Sequence, residues 1–236
     1  MGRDTRAQSA ADRPEDGHYL NWYLISRIGS VFIGFSILGI GVEAINFDNQ
    51  QPGSMPAHWT STATRPARSP DWQIKPDKTA PTRPNVLQQL STAPEDSEFP
   101  LAIFDKVICR DGDLSVKFKV EAEPRRIKAA GIVWRYQDER NYYLLRFSVD
   151  ERNIALFRVQ DGQMHAIPGA VSHDLKTGQW YVAKVMYRGS HFRVLFGNRQ
   201  LFEANDDSLG TPGKTGLWTR AGTVASFDDF RLDKKG

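Results

Sequence analysis

The chain has 236 residues, 40% of them hydrophobic, which is enough to bury a sizeable core, and all-β sandwiches reach this length as one domain. Thirty-one basic residues against 28 acidic ones leave a net charge of +3, spread without the dense Lys/Arg block that tracks phosphates, so nucleic acid is not an expected partner. The single cysteine, Cys109 in "DKVICRDG", excludes an internal disulfide and reads as a packed thiol on a buried strand, with no thiolate-activating neighbour.

In chain order, the first feature is the apolar run "IGSVFIGFSILGIGV" at residues 28–42, preceded by Arg27 and followed by Glu43 and Ala44. It is shorter than the ~20 residues of an easy membrane span and fits a secretory h-region, with Val42 and Ala44 as the small-residue cleavage pattern. Cleavage after Ala44 is the preferred reading. The polar leader is unusually long for an n-region and holds as many acids as bases, so an uncleaved signal anchor, with its membrane association, stays open, and so does a buried helix. The first two readings place a mildly basic body outside the cytoplasm, periplasmic or extracellular, or else anchored and facing outward. The organisation expected is therefore 1–44 as leader plus signal or anchor, and 45–236 as one domain.

After a short strand in "INFDNQQ", the prolines between residues 49 and 100 exclude helices and predict long connections, with short strands around Trp72 and Val86. From residue 101 the pattern is regular. In "DLSVKFKVEAE", Leu114, Val116, Phe118 and Val120 alternate with Ser115, Lys117 and Lys119, the period of a strand with one face in the core and one in water. Aromatic and β-branched runs continue through "AAGIVWRYQ", "RNYYLLRFSVD", "RNIALFRVQ", "QWYVAKVMYRG", "HFRVLFGN", "KTGLW" and "ASFDDFRL", separated by polar turns of hairpin length. A dozen or so consecutive antiparallel strands predict an all-β, two-sheet sandwich of jelly-roll type.

The stretches "AGIVWRYQDERNYYLLRFSVDERNIALFRVQDG", "GQWYVAKVMYRGSHFRVLFGNRQLFEA" and "GKTGLWTRAGTVASFDDFRL" resemble the concanavalin A-like (laminin G-like) jelly-roll superfamily. The likeness spans roughly residues 45 to 233 and is nearest to bacterial exported domains grouped with 3-keto-disaccharide hydrolases. It implies a bent sandwich whose concave sheet meets saccharide. Activity does not follow from it, because the fold carries lectin-like binders, glycosidases and adhesion modules alike.

Retaining glycosidases of the β-glucanase type place closely spaced acids in an E-x-D-x-x-E strand, since two carboxylates must flank one glycosidic bond. No such strand occurs here. Glu121 and Glu123 sit at a strand exit and read as surface charge, and Asp228 and Asp229, being adjacent, would point to opposite faces of a regular strand. Asp48 with Asp228 or Asp229 could offer Ca²⁺ some oxygens where the first and last strands meet, but the acid count is low for that ion. The alternative is that Phe227 and Phe230 plug the core while the acids cap a bulged edge, and no metal or cofactor is expected. His58, His165, His173 and His191 have no zinc spacing, and neither a G-x-S-x-G elbow nor a phosphate loop is present.

If Ile132, Trp134 and Tyr136 share the core face of one strand, Val133, Arg135 and Gln137 share the other. In the next strand Tyr143, Leu145 and Phe147 read as buried, opposite Tyr142, Leu144, Arg146 and Ser148. A polar face bearing Arg135 and Arg146 and extended by Tyr142, Arg158, Trp218 and Arg220 would combine aromatic rings for the C–H face of a sugar with planar donors for its hydroxyls. The same arginines could instead cover apolar surface with their stems, and the tryptophans could be core. Trp180 reads as core rather than as a platform. The function expected is an exported carbohydrate-binding or envelope-interaction module without catalysis; the alternatives are a hydrolase acting on 3-keto-disaccharides or related glycosides, carried by the resemblance, and a structural protein whose sandwich surface serves only a partner.

Overall fold

The computed structural model describes residues 41–65, 70–90, 99–122 and 128–236, and every helix-or-strand element among them is a strand. One sheet, sheet A, runs in the order β13 (Arg199–Asn205), β12 (His191–Phe196), β11 (Tyr181–Arg188), β6 (Asp111–Val120), β15 (Ala225–Lys235), β4 (Asn85–Gln89), β3 (Trp72–Pro76). The long β15 is shared on its far side: β4 pairs with its beginning, and β1 (Val42–Ile45) pairs with the stretch from Phe230 to Asp233. Sheet B runs β10 (Gln163–Ser172), β9 (Asn153–Gln160), β8 (Asn141–Ser148), β7 (Ala129–Asp138), β14 (Gly213–Thr219), β5 (Phe99–Cys109), β2 (Trp59–Thr64). All pairings are antiparallel. This is the two-sheet antiparallel sandwich that the alternation predicts. Pro168 and Pro76 both fall in edge strands, where a missing N–H costs no ladder bond.

Between the sheets lies the main core. Leu114, Val116, Phe118 and Val120 of β6 meet Ile132, Trp134, Tyr143, Leu145 and Phe147 of sheet B, as their spacing requires. Phe227 and Phe230 are fully buried, Phe230 against Trp59 at 4.9 Å between ring centroids. Cys109 is buried, with its sulfur 3.2 Å from the Tyr187 hydroxyl, and burial pushes its thiol pKa up, as expected for an unreactive side chain.

Two bulges break the alternation. In β7 the register shifts after Trp134, and Arg135 takes φ 49°, so Trp134 and Arg135 both turn inward and Tyr136 turns outward. The partner strand admits this only because Gly213 has no side chain: a Cβ there would lie 2.5 Å from the Arg135 carbonyl carbon. In β15 the shift lies between Asp228 and Arg231, with Asp229 at φ 49°. The acids therefore do not point apart. Both accept from the Thr82 hydroxyl, Asp228 at 3.0 Å and Asp229 at 3.3 Å.

β2 (Trp59–Thr64) and the full length of β5 were not legible in the proline-rich stretch, whereas the strands around Trp72 and Val86 are present. The expected boundary after Ala44 falls inside β1, whose Val42, Glu43 and Ala44 pair with Asp233, Leu232 and Arg231. The leader and nearly all of the apolar run lie outside the described residues, as does Glu123. Among the described residues no helix is long and apolar enough to cross a membrane.

Candidate functional site

Sheet B carries a second apolar cluster on the face turned away from sheet A. Leu101 and Ile103 of β5, Trp218 of β14, Val133 of β7, Tyr142 and Leu144 of β8 and Val159 of β9 are all buried there, with Phe99, Tyr136, Phe157 and Met164 packed around them. Phe99 stacks on Trp218 at 5.6 Å. Gly131 lies beside Trp218 in the ladder, and a Cβ there would meet Leu144 Cδ1 at 2.6 Å and the indole at 3.4 Å.

The sheet curls around this cluster. β2 is four strands away from β8, a separation of about 19 Å in a flat sheet at about 4.8 Å per strand. Yet the Thr64 hydroxyl lies 2.8 Å from the Tyr142 hydroxyl and donates to the Glu139 carbonyl, while Arg65 Nη2 donates to the Gly162 carbonyl at 3.2 Å. The end of β2 is thus drawn across to the β7–β8 and β9–β10 turns, and burial pushes the Tyr142 phenol pKa up.

The six residues expected on one polar face are divided by this geometry. Tyr142 and Trp218 are on the outer face of sheet B, at 0% and 1% exposure, inside the second cluster. Arg146 shares that face, buried, with its guanidinium 4.7 Å from the Phe157 ring centroid and bonded to Glu151, and with Nη2 donating to Asn153 Oδ1 at 3.2 Å. Arg220 follows on the same side, half-buried, 4.0 Å from Glu151. Arg135 and Arg158 are elsewhere. The β7 bulge sends Arg135 inward to the Arg110 carbonyl at 2.8 Å, the Leu209 carbonyl at 3.2 Å, the Gly189 carbonyl and Asp111. Arg158 has the parity of Ile154 and Leu156, which are core, and pairs at 2.8 Å with Asp206, the carboxylate that also accepts from the Tyr143 hydroxyl at 2.6 Å.

The calcium seam also resolves into hydrogen bonds. Asp48 accepts from the Asn85 backbone N–H at 3.1 Å, Asp228 from the Thr82 N–H at 2.9 Å and the Asp229 N–H at 2.7 Å, and Asp229 pairs with Lys117 at 2.7 Å. Burial, with the Asp229 charge adding to it, raises the Asp228 pKa against the lowering effect of its donors. Among the described residues no group of three or more His, Cys, Asp and Glu could hold a metal ion.

A different constellation stands on the outer face of sheet A. Register places Gln73, Gln88, Ser226 and Lys119 in one row across β3, β4, β15 and β6, and the next position, just before β11, is Trp180. Trp180 is half-exposed on this outer face, not in the core. Its Nε1 donates to Thr79 Oγ1 at 3.2 Å, and the Lys119 ammonium sits 5.3 Å from its ring centroid. Lys119, at 6% exposure, bonds Asp77 at 2.7 Å, Thr79 at 3.1 Å and Glu121 at 3.1 Å. Burial opposes the charge on Asp77 and on Lys119, but these bonds outweigh it, so Asp77 titrates below its usual range and Lys119 above. Between the Asp77 turn and the β6 exit lies an open cleft of about 510 Å³, lined by Asp77, Gln88, Leu90, Lys119, Glu121 and Val224.

No family model matches the sequence, and neither does any curated protein. Solved structures do match, at low identity. The chain is similar to the carbohydrate-binding module CBM66 from Bacillus subtilis, at TM-score 0.57 and 16% identity over 74% of this chain and 94% of that one. It is equally similar to the Bacillus licheniformis β-glucanase, at TM-score 0.57 and 10% identity over 83% and 99%. A Bacillus subtilis protein of unknown function with a galectin-like fold follows at TM-score 0.53 and 12% identity over 75% and 89%. What these likenesses share with the chain is its fold: the chain is a concanavalin A-like β-sandwich.

Proposed function

We propose that this protein is an exported saccharide-binding sandwich module that does not hydrolyse glycosides. The observation that supports the second half is the state of the outer face of sheet B. A glycosidase must hold two carboxylates across a bond, about 5 to 9.5 Å apart depending on mechanism. This face is filled largely by apolar side chains, and the acids that reach it are committed to cations, Glu151 to the Arg146 guanidinium and Asp105 to the Lys214 ammonium at 2.6 Å. Binding is supported by the same fold in a carbohydrate-binding module that aligns over nearly its whole length, and by the aromatic and polar groups on the outer face of sheet A. Export rests on the apolar run at 28–42 with small residues after it.

The test is retention of the full chain on a panel of polysaccharides and envelope extracts, with the soluble fraction analysed for released sugar. Retention without product is expected. Product release from a 3-keto-glycoside would establish the hydrolase instead, and absence of retention on every polymer would remove the saccharide reading. For export, intact-mass measurement of the native protein should give a chain starting near Ile45; a membrane-bound chain retaining residues 1–44 would establish the anchored form.

A further inference from the structure

We infer that the saccharide site is on the outer face of sheet A, where Trp180 stands as a platform across Lys119 from the cleft and Glu121 and Gln88 in the cleft wall are the acceptors, and that it takes a neutral sugar chain. The inference rests on the saccharide reading above and adds its location and ligand class. Trp59, Trp72, Trp134 and Trp218 are all at least nine-tenths buried, so Trp180 is the indole that the described residues offer to a ligand. A pyranose or furanose ring stacks its C–H face on such an indole, while its hydroxyls donate to acceptors in the adjoining wall. The platform is held before any ligand arrives: the indole N–H is tied to Thr79, and Thr79 is tied through Lys119 to β6.

The wall is an acceptor surface. Lys119 spends its three protons on Asp77, Thr79 and Glu121 and has none left for a ligand. Glu121 Oε1 accepts from Lys119 and from the Ser226 hydroxyl at 2.8 Å, and the Gln88 amide nitrogen is bound to Ser226 Oγ at 2.9 Å, so among the described residues the second Glu121 oxygen and the Gln88 carbonyl oxygen remain as acceptors on two residues that line the cleft. Among the described residues, one ammonium against two carboxylates makes the cleft negative, so it disfavours uronates and phosphorylated sugars and suits hydroxyl donors.

The experiment is calorimetric titration of the full chain with six-ring gluco-, manno-, galacto- and fructo-oligosaccharides and with hexagalacturonate. At least one neutral oligosaccharide should bind, hexagalacturonate should not, and Trp180→Ala and Glu121→Gln should each weaken binding about tenfold or more, whereas Trp180→Phe keeps most of the affinity. If Trp180→Ala does not fold, Gln88→Ala, in the cleft wall, carries the same expectation. A neutral oligosaccharide bound unchanged by these variants overturns the site and leaves the saccharide reading standing. Equal binding of hexagalacturonate overturns the ligand class, and failure of every oligosaccharide to bind overturns both readings.

Discussion

The outer faces of the two sheets solve opposite problems. Sheet B turns away from the main core a second cluster of apolar side chains, then curls so that Thr64 reaches Tyr142 and the cluster is buried. Sheet A turns outward a polar row, and the β3–β4 connection folds over it, pinned by Lys119 to Asp77 and by Asp228 to Thr82. An aromatic residue therefore means different things on the two faces: Trp218 is a packing element, and Trp180 is a half-exposed ring held in place by Thr79 and Lys119. The arginines of sheet B follow the same logic, each spent on a neighbour rather than presented to solvent.

The comparison would break most visibly at Trp218. Trp218→Ala should cost about 3 to 5 kcal/mol, read from chemical denaturation, a large share of a domain's total of about 5 to 15. Trp180→Ala, by contrast, should stay within about 1 kcal/mol of the native chain. On sheet A, Lys119→Met strands Asp77 and Glu121 in a poorly hydrated place and should cost about 3 kcal/mol. A change within a few tenths of a kcal/mol would show that the β3–β4 connection is held by packing alone. Thr64→Val removes the 2.8 Å partner of the buried Tyr142 hydroxyl, and a loss of about 1 to 2 kcal/mol is expected if the curl of sheet B depends on that bond.

The smallest effect is a pH dependence. The folded pKa of Asp228 is raised above 3.8, so its contribution is complete below that value and is lost as pH rises through the folded pKa. Asp228→Asn cannot ionise, so its stability relative to the native chain should increase across that window and level off above it. A constant difference would mean that Thr82 and the Asp229 N–H compensate the buried charge fully.

Much of the fold was legible because alternation is a local property. Leu114 to Val120 and Tyr143 to Phe147 fall where their period of two puts them. The faces were harder. In "NIALFRVQ" both parities are apolar, so nothing local says that Arg158 points inward, and the glycine that permits the bulge at Arg135 is Gly213, on another strand 78 positions further on. Burial of Tyr142 depends on Thr64, 78 positions away in sequence, and no strand-by-strand reading contains that contact. Trp180 was within reach: in "WYVAKVMY" it shares parity with Lys184, which assigns its side to solvent.

The claim that the two faces differ is tested most directly by brief oxidation of the native chain with N-bromosuccinimide, followed by peptide mapping of each tryptophan. Among the tryptophans of the described residues Trp180 should be modified first, with Trp218 as resistant as Trp134 and Trp72 until denaturant is added. Modification of Trp218 in the native chain at the rate of Trp180 would mean that the outer face of sheet B is open, and would return the ligand site to that side.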